Sequence, residues 1–569
     1  MQKYTTSPSD WRLRPRDSIL HVMDFLLVLH THLPFVLGHG RWPHGSDWLM
    51  EASVDSYLPL LDAMDALRRE RVSAPVTLSV TPVLAAQLSM PQFARELGAF
   101  FAQRLAACDD AERELGAAGQ GQLLPIVRFW RERYRKCHRQ FDALGGDLIG
   151  AMRALEDEGR IELMSSAATH GFLPLLATDE SVRLQLFTGR AEHERIFGRA
   201  PAGCWLPECA YRPRGAWEPW PGGPSSPMRA GIETHLVAAG YRFVVVDAHL
   251  ASAGRPLEAY HSAALAPEGG ALRSPYRDYS IGRGPDAVRA FVRDPASTHH
   301  VWSRDQGYAG AGGYLEFHKI RFPGGLKLWE VTGPGVSLGA KKPYDPSHAR
   351  ALAADHARHF AGLLAETARK GASTAERVIV APFDSELFGH WWFEGPDFIA
   401  DTYRVLSQHP GVRPSTASDH LRGARAATPL DLPAGSWGRN GDFSMWLNGQ
   451  TAWTWTRLWA IEKRFWSVAP TALALPAAHT VLAQAARQLL LAQASDWQFI
   501  ISTGEVTDYG ERRFRLHADA ADSLVAALER GNDLASAGQR ATELDRRDGI
   551  FPNVLDAVAW ALAPAPMPT

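Results

Sequence analysis

An acid directly follows a short apolar run in GCWLPECAYRPRG, residues 203–215. The run breaks at Pro207, the carboxylate of Glu208 comes next, and Cys209 and Tyr211 flank it. A single strand that ends in a titratable group has an ordinary explanation, because polar side chains often cap strand ends. The pattern indicates function only if other strands of the same chain end in the same way.

Short β-branched or aliphatic runs recur along the chain and predict buried strands. They are FLLVL (25–29), VTLSV (76–80), IELMS (161–165), GCWL (203–206), FVVVD (243–247), LKLWEV (326–331) and VIVAPF (378–383). Continuous apolar runs, unlike alternating ones, are typical of parallel strands that are covered on both faces. Helical stretches separate several runs, as at 52–71, 180–198 and 347–371. The sequence therefore predicts an α/β protein with seven strands, in a barrel or a doubly wound sheet.

Titratable side chains stand where four of these runs end. They are His30 and His32 after FLLVL, His170 after IELMS, Glu208 after GCWL, and Asp384 and Glu386 after VIVAPF. The carboxyl ends of parallel strands in an α/β barrel meet at the face where active sites are assembled. Four such endings together favour a functional site over a set of capped strands.

The rest of the chain predicts two helical regions and two disordered ends. Long amphipathic patterns interrupt the strand–helix alternation after the second strand, and further helical patterns follow a Pro- and Gly-rich linker at 428–441. We predict a disordered extension at 1–22, a catalytic barrel at 23–90 and 160–427, a helical insertion at 91–159, a C-terminal helical domain at 428–560 and a disordered tail at 561–569. The extension could equally be a misassigned start, with Met23 as the functional beginning.

The composition is typical of a globular protein and excludes several classes of partner. The 569 residues are 46% hydrophobic and 21% charged, with a net charge of −2, so no global field favours nucleic acid or an anionic membrane. The four cysteines form no CxxC pair, which argues against a disulfide framework and a thiolate zinc site. No apolar run approaches the roughly 20 residues that span a bilayer. We expect a reduced, cytoplasmic protein of two or three domains, and the sequence does not predict its oligomeric state.

Two carboxylates at separate strand ends could break a glycosidic bond. One would attack the anomeric carbon, while the other would protonate the departing oxygen. The residue types leave a second chemistry open, because His30 and His32 with an Asp from a later strand could instead hold a metal ion. The 19 tryptophans favour a sugar, since several lie in or beside these loops and aromatic faces stack on glucose. For any single tryptophan, core packing explains the residue at least as well.

Four segments resemble the signature segments of glycoside hydrolase family 57. They are LHTHLPFV (29–36), WLPECAY (205–211), FDSELFGHWW (383–392) and SDWQF (495–499). The resemblance covers nearly the whole chain and is strongest to the 1,4-α-glucan (glycogen) branching enzymes of that family. It implies a (β/α)7 barrel with a helical insertion and a C-terminal all-helical domain. It also implies an α-1,4-glucan as donor and acceptor, with no cofactor and no metal.

The resemblance implies a role for individual residues. Glu208 is the nucleophile and Asp384 the general acid/base, and Glu386 is the rival for the acid. Substrate-binding roles follow for His30, His32, His170, Arg293, Trp302, Gly310, Trp437, Trp446 and Asp496. Asp496 has a plainer alternative, as a carboxylate inside a helix that pairs with an arginine.

Tyr260 stands in the Gly-, Ala- and Pro-rich segment 252–272. This segment resembles the mobile loop of the family's branching enzymes, in which a tyrosine covers the covalent intermediate. A lid that excludes water would favour transfer to a sugar over hydrolysis. The alternative is an ordinary surface loop.

Three other functions stay open at this point. An amylolytic hydrolase or a 4-α-glucanotransferase could use the same two carboxylates with a different acceptor. A metal-dependent hydrolase could be built on His30 and His32. A non-catalytic glucan-binding protein would keep the aromatic cleft, but it would have no use for the pair formed by Glu208 and Asp384.

Overall fold

Apolar residues fill the central strands almost without interruption, and those strands pair in parallel. The computed structural model describes residues 22–41, 44–220, 223–251, 273–282, 287–303, 307–333, 335–371, 377–423 and 427–563. The predicted disorder of the N-terminal extension and of the C-terminal tail, and the predicted lid with Tyr260, fall essentially outside these residues. Those three predictions therefore stay predictions.

The strands follow one another along the chain as β1 to β14. Their bounds are β1 Met23–Thr31, β2 Val76–Val80, β3 Ile161–Ser166, β4 Gly203–Trp205, β5 Gly215–Trp217, β6 Ser226–Arg229, β7 Phe243–Val246, β8 Asp278–Ile281, β9 Val288–Val292, β10 Ile320–Arg321, β11 Leu326–Lys327, β12 Val378–Asp384, β13 Val412–Pro414 and β14 Thr428–Pro429. Strand β1 is buried along its whole length and lies between β2 and β12.

Seven of these strands curl into a barrel. They pair in parallel in the order β12, β1, β2, β3, β4, β7, β9. The two ends of this row meet where Arg293, just after β9, bridges Val380 of β12, and the backbone N–H of Asp294 donates to the Val380 carbonyl at 2.7 Å. The predicted (β/α)7 barrel is thereby confirmed, and the carboxyl ends of its strands share one face.

One of the seven predicted strands was wrong, although the number was right. The segment LKLWEV contributes only Leu326–Lys327, which pairs antiparallel with Ile320–Arg321 in a hairpin outside the barrel. The barrel strand that the apolar pattern missed is β9, whose run is broken by Arg289. Strand β8 pairs antiparallel with β9 at the edge, and Arg289 forms an ion pair with Asp278 there. Arg289 thus has a carboxylate partner within the sheet, in a strand that lacks a continuous apolar sequence.

Helices surround the barrel and extend beyond it. Those up to β14 are α1 Ser46–Ala52, α2 Leu58–Arg69, α3 Pro82–Leu88, α4 Pro91–Ala117, α5 Leu124–Ala143, α6 Leu148–Asp157, α7 Asp179–Phe197, α8 Ile232–Ala238, α9 Ala248–Ala251, α10 Pro295–Trp302, α11 Pro346–Gly371, α12 Gly395–Leu406 and α13 Ala417–Gly423. A single π-helical turn, Ser53–Tyr57, joins α1 to α2. The helices α4 to α6 form the helical insertion between β2 and β3.

The C-terminal region is helical. Its helices are α14 Ala452–Ala474, α15 His479–Ala492, α16 Asp496–Thr503, α17 Thr507–Arg530, α18 Leu534–Asp548 and α19 Val554–Leu562. Both helical parts of the predicted fold class are confirmed, whereas the exact domain boundaries stay a prediction. In the part of the chain that the structure covers, no helix has the length and apolar character needed to cross a membrane.

The C-terminal helices share a hydrophobic core with one side of the barrel. This core joins buried side chains of β4, β7 and α7 to those of α14, α15 and α17. Trp459 of α14 illustrates the join, because its indole N–H donates to the carbonyl of Leu175 at 2.8 Å and its ring packs on Trp217. Burial of large side chains on this scale fixes the C-terminal helices against the barrel.

Candidate active site

The carboxyl ends of the barrel strands open into a cavity of about 780 Å³. Ten of the twelve predicted site residues line it: His30, His32, His170, Glu208, Arg293, Trp302, Asp384, Trp437, Trp446 and Asp496. Gly310 is not among the residues that line the cavity; it is the exposed last residue of a short turn, Tyr308–Gly310. Tyr260 is outside the described residues.

The backbone at Glu208 explains why an acid follows the β4 strand. Glu208 has φ 61° and ψ 24°, in the left-handed region that residues other than glycine seldom adopt. Such a conformation costs of order 1–3 kcal/mol and persists only where the surroundings enforce it. Here the N–H of Cys209 donates to the Leu206 carbonyl at 2.8 Å, and the N–H of Trp437 donates to the Glu208 carbonyl at 3.0 Å. The strained turn aims the carboxylate into the cavity.

Both carboxylate oxygens of Glu208 accept hydrogen bonds from outside the barrel strands. The indole N–H of Trp437 donates to Oε2 at 2.8 Å, and the hydroxyl of Ser495 donates to Oε1 at 3.0 Å. Burial raises the pKa of Glu208 to about 7; the hydrogen bond from Trp437 lowers it, and the charge of Asp384 raises it further. The two donors hold the carboxylate in one orientation and favour its ionised form.

Asp384 is the last residue of β12 and lines the same cavity. Burial raises its pKa to about 6, against the charges of His32 and Arg293, which lower it. Two interacting carboxyls titrate as a pair and share one proton over an intermediate pH range. We assign the negative charge of that state to Glu208, although its own value is the higher, because both of its oxygens accept hydrogen bonds. The shared proton then lies on Asp384.

Glu386, the rival acid, is pinned by the π-helical turn. The hydroxyl of Tyr57 donates to its Oε1 at 2.6 Å, and the backbone N–H of His32 donates to the same oxygen at 3.2 Å. Burial raises the pKa of Glu386 to about 8. The backbone of the π-helical turn lies close to the loop after β12. A Cβ on Gly389 would lie 1.9 Å from the carbonyl oxygen of Asp55. The two hydrogen bonds hold Glu386 in a fixed position, which leaves Asp384 the freer of the two acids.

Three histidines stack beside Glu208. The ring centroids of His32 and His170 lie 4.0 Å apart, and Nε2 of His30 lies 3.0 Å from Nε2 of His170. Burial lowers the pKa of both His30 and His170 well below the ordinary value. For His32, burial lowers the pKa, but the charge and hydrogen bond of Asp496 raise it above the ordinary value. The site thus holds two neutral imidazoles and one that readily becomes cationic.

Asp496 begins helix α16 and pairs with His32, not with an arginine. Its two oxygens lie 3.0 and 3.1 Å from Nε2 of His32. Within the described residues, His32, His170 and Asp496 place one possible metal-ligand atom each within 4.8 Å of the others. Nε2 of His170 already faces Nε2 of His30, and within the trio Nε2 of His32 bonds directly to Asp496. We therefore assign no metal ligand here.

The aromatic rings in and next to the cavity divide into packed and exposed ones. Trp205 is fully buried and stacks on His30 at 4.5 Å, and Trp446 is 1% exposed and packs on Phe172 at 4.5 Å. Trp391 and Phe499 also line the cavity, but they are 52% and 41% exposed. Exposed rings at a cavity mouth are the ones available to a sugar face.

Sequence reasoning missed three supporting residues. Ser495 stands beside Asp496 in the SDWQF segment, but the resemblance implied a role only for Asp496. Asp247 ends the predicted FVVVD strand and accepts a hydrogen bond from Arg293 at 2.9 Å, which places the guanidinium 5.4 Å from the Trp437 ring. Tyr57 carries no local signal, because its role arises only from the packing of a helical turn against the loop after β12.

A (β/α)7 barrel with two buried carboxyls at its strand ends has the pair of acids that a glycosidase-type enzyme uses. Residues 26–433 match the family model of glycosyl hydrolase family 57, and residues 460–560 match the model for the C-terminal part of 1,4-alpha-glucan branching enzymes. The chain belongs to glycosyl hydrolase family 57.

Similar proteins include enzymes named for branching and for starch hydrolysis. The chain is 37% identical over 529 residues to a 1,4-alpha-glucan branching enzyme of Thermococcus kodakarensis, covering 92% of this chain and 76% of that protein. It is 32% identical over 564 residues to a probable 1,4-alpha-glucan branching enzyme of Mycobacterium tuberculosis, covering 94% and 97%. The crystal structure of the Thermococcus enzyme matches with a TM-score of 0.87 at 36% identity over 96% and 97% of the two chains. That of the α-amylase AmyC from Thermotoga maritima matches with a TM-score of 0.78 at 26% identity over 95% and 99%.

Proposed function

We propose that this protein is a 1,4-α-glucan branching enzyme that acts through a covalent glycosyl-enzyme on Glu208. The observation that carries the proposal is the Glu208 carboxylate, held by Trp437 and Ser495 and sharing one cavity with Asp384. The match to the branching-enzyme C-terminal model supports the choice of reaction within the family.

The first chemical step cleaves an α-1,4 bond. Asp384 donates its proton to the glycosidic oxygen while an oxygen of Glu208 forms a bond to the anomeric carbon, so the shortened glucan leaves with a neutral 4-hydroxyl. Burial raises the pKa of Asp384, and we assign to this carboxyl the one proton that it shares with Glu208. The hydrogen bonds at Glu208 hold the attacking carboxylate ionised and oriented.

The second step makes the branch. Asp384, now ionised, takes the proton of a glucan 6-hydroxyl, and that oxygen attacks the anomeric carbon and displaces Glu208. Two displacements at the same carbon retain the α configuration. Beside Glu208, the neutral rings of His30 and His170 and the pair of His32 with Asp496 offer donors and acceptors to the hydroxyls of the donor glucose. Tyr260 as the covering lid stays a prediction.

Hydrolysis is the second candidate, because the α-amylase from Thermotoga maritima shares the fold over 95% of this chain. A hydrolase would keep every residue of the first step and differ in the acceptor, which would be water. Removal of water from the covalent intermediate is thus the property that separates the two functions.

Proton NMR of amylose after incubation with the purified protein tests the proposal. We expect new α-1,6 anomeric signals with few new reducing ends. New reducing ends without α-1,6 linkages would make water the acceptor and would overturn the branching proposal. A Glu208→Gln variant run in parallel shows that either product depends on this site.

Two further expectations belong to this proposal. The α-glucan serves as both donor and acceptor, in the biosynthesis of glycogen or a similar α-glucan. We also place the enzyme in the cytoplasm, an expectation supported by its four buried and unpaired cysteines.

A further inference from the structure

A line of hydrogen-bonded side chains runs from strand β2 to Glu208. Ser79 Oγ lies 3.1 Å from His30 Nδ1, and His30 Nε2 lies 3.0 Å from His170 Nε2. His170 Nδ1 lies 3.0 Å from Ser495 Oγ, and the Ser495 hydroxyl lies 3.0 Å from Glu208 Oε1. Ser79 and Ser495 are fully buried, and the two histidines are at most 3% exposed. The line therefore has little access to water that could break it.

Each group between the ends of this line has one proton to donate. An ionised Glu208 can only accept, so the Ser495 hydroxyl must donate to it and must itself accept from the Nδ1–H of His170. A neutral His170 with a proton on Nδ1 has a bare Nε2, which accepts from the Nε2–H of His30. The bare Nδ1 of His30 then accepts from the hydroxyl of Ser79. The charge on Glu208 thus selects one tautomer for each histidine.

The opposite arrangement requires a protonated Glu208. In that state, Glu208 donates to Ser495, Ser495 donates to Nδ1 of His170, and both histidines carry their protons on the other ring nitrogen. The two arrangements differ by the one proton on Glu208. A mixture of the two directions would leave two donors or two acceptors facing each other at a buried contact, which costs of order 1–3 kcal/mol.

We propose that Ser79, His30, His170 and Ser495 form a proton-ordered chain that stabilises the ionised nucleophile, with Ser79 and Ser495 as positioning residues. This inference rests on the proposed role of Glu208. Ser79 lies at the far end and acts on Glu208 through three intervening side chains. Its hydroxyl favours the His30 tautomer that the ionised state requires.

The other charges around Glu208 are separate from this chain. Asp384 faces it from β12, Asp496 faces it from α16, and His32 faces it from the loop after β1. Replacement of Ser79 by alanine changes none of these charges. A shift in the titration of Glu208 in that variant therefore reports the hydrogen-bonded chain and not a changed electrostatic field.

The test is the pH profile of kcat/KM on amylose for Ser79→Ala, Ser79→Thr and Ser166→Ala. Ser166 is the matched control, because it is a buried hydroxyl at the end of the neighbouring strand, β3, and donates to the Trp205 carbonyl at 2.8 Å. We expect Ser79→Ala to move the acidic limb up by about half a pH unit, a loss of about threefold below that limb. Ser79→Thr keeps the hydroxyl and should restore the wild-type limb, and Ser166→Ala should leave it in place. Equal profiles for Ser79→Ala and Ser166→Ala would overturn the proposal.

A second measurement needs no variant that could fail to fold. In full-length protein with ¹⁵N-labelled histidine, ring shifts recorded above the acidic limb should show the proton on Nε2 of His30 and on Nδ1 of His170. Either ring in the opposite tautomer would overturn the chain. The Glu208→Gln variant separates the two hypotheses, because full activity in that variant would reject Glu208 as nucleophile whatever the tautomers show.

Discussion

The barrel and the C-terminal region contribute to the site in different ways. The barrel supplies the groups that react or surround the reacting atoms, Glu208 and Asp384, from the ends of its strands. The region after the barrel supplies the groups that hold them, since Trp437 and Ser495 both bond to Glu208 and Asp496 pairs with His32. The reacting carboxyls therefore depend for their orientation on residues that lie outside the barrel strands.

Loss of a reacting group should have the largest effect. Glu208→Gln keeps the size and most of the hydrogen-bonding capacity of the side chain but removes the nucleophile, so we expect kcat on amylose to fall by about 10⁴-fold or more. The thermal midpoint should change little, measured by circular dichroism. Substantial activity in this variant would mean that the barrel supplies its nucleophile elsewhere.

Replacement of the acid, Asp384, should lower activity nearly as much. We expect Asp384→Asn to lower kcat by about 10³-fold on amylose, because no proton reaches the departing oxygen. Glu386→Gln, the matched variant two residues along, should cost far less, since Glu386 is held by Tyr57. The reverse order of the two losses, measured in the same assay, would move the acid role to Glu386.

Loss of a residue that holds the Glu208 carboxylate should lower kcat less than loss of Glu208 itself. Ser495→Ala removes the donor to Oε1 of Glu208, and we expect kcat to fall about 10- to 100-fold with a smaller change in KM. Ser502→Ala is a suitable control, because Ser502 lines the cavity from α16 and its hydroxyl accepts from the side-chain amide of Asn448 at 2.9 Å. A loss expressed mainly in KM would show that Ser495 binds substrate instead of holding the nucleophile.

The pH dependence of kcat/KM tests whether Glu208 and Asp384 act with one proton between them. The pair has pKa values raised to about 6 and about 7, and it is active with one proton bound. Activity should rise as pH increases through the lower value, when the first proton is lost, and fall through the higher value, when the second is lost. A bell-shaped kcat/KM profile with its maximum between about pH 6 and 7 is expected. A flat profile across this range would contradict the paired assignment.

Chelation should have the smallest effect. Nε2 of His32 and Nε2 of His170 already bond to Asp496 and His30, so we expect dialysis against EDTA to leave the rate on amylose unchanged. Loss of activity on chelation, with recovery on adding zinc, would favour the metal-dependent alternative.

The sequence predicted the barrel well because buried parallel strands carry a local signal. Continuous apolar runs predicted six of its strands. The prediction failed at two segments, where the apolar pattern did not match the strands of the barrel. LKLWEV is apolar but forms a hairpin, and β9 was missed because Arg289 interrupts it and is paired with Asp278 of the neighbouring strand. Local composition does not record which strand a side chain will meet.

The site was predictable to a similar extent and for a similar reason. Residues at strand ends, such as Glu208 and Asp384, are marked by the strands before them. Ser495 contacts Glu208 across 287 positions of sequence, and the short break between helices α15 and α16 that presents it depends on packing against the barrel. Its role follows from tertiary structure alone.

The left-handed backbone at Glu208 has a consequence for biosynthesis. Its carbonyl accepts from the N–H of Trp437, and its side chain accepts from Trp437 and Ser495, all of which leave the ribosome after the last barrel strand, β12. The strained turn therefore receives its restraints only once the segments after β12 have been made and have packed against the barrel.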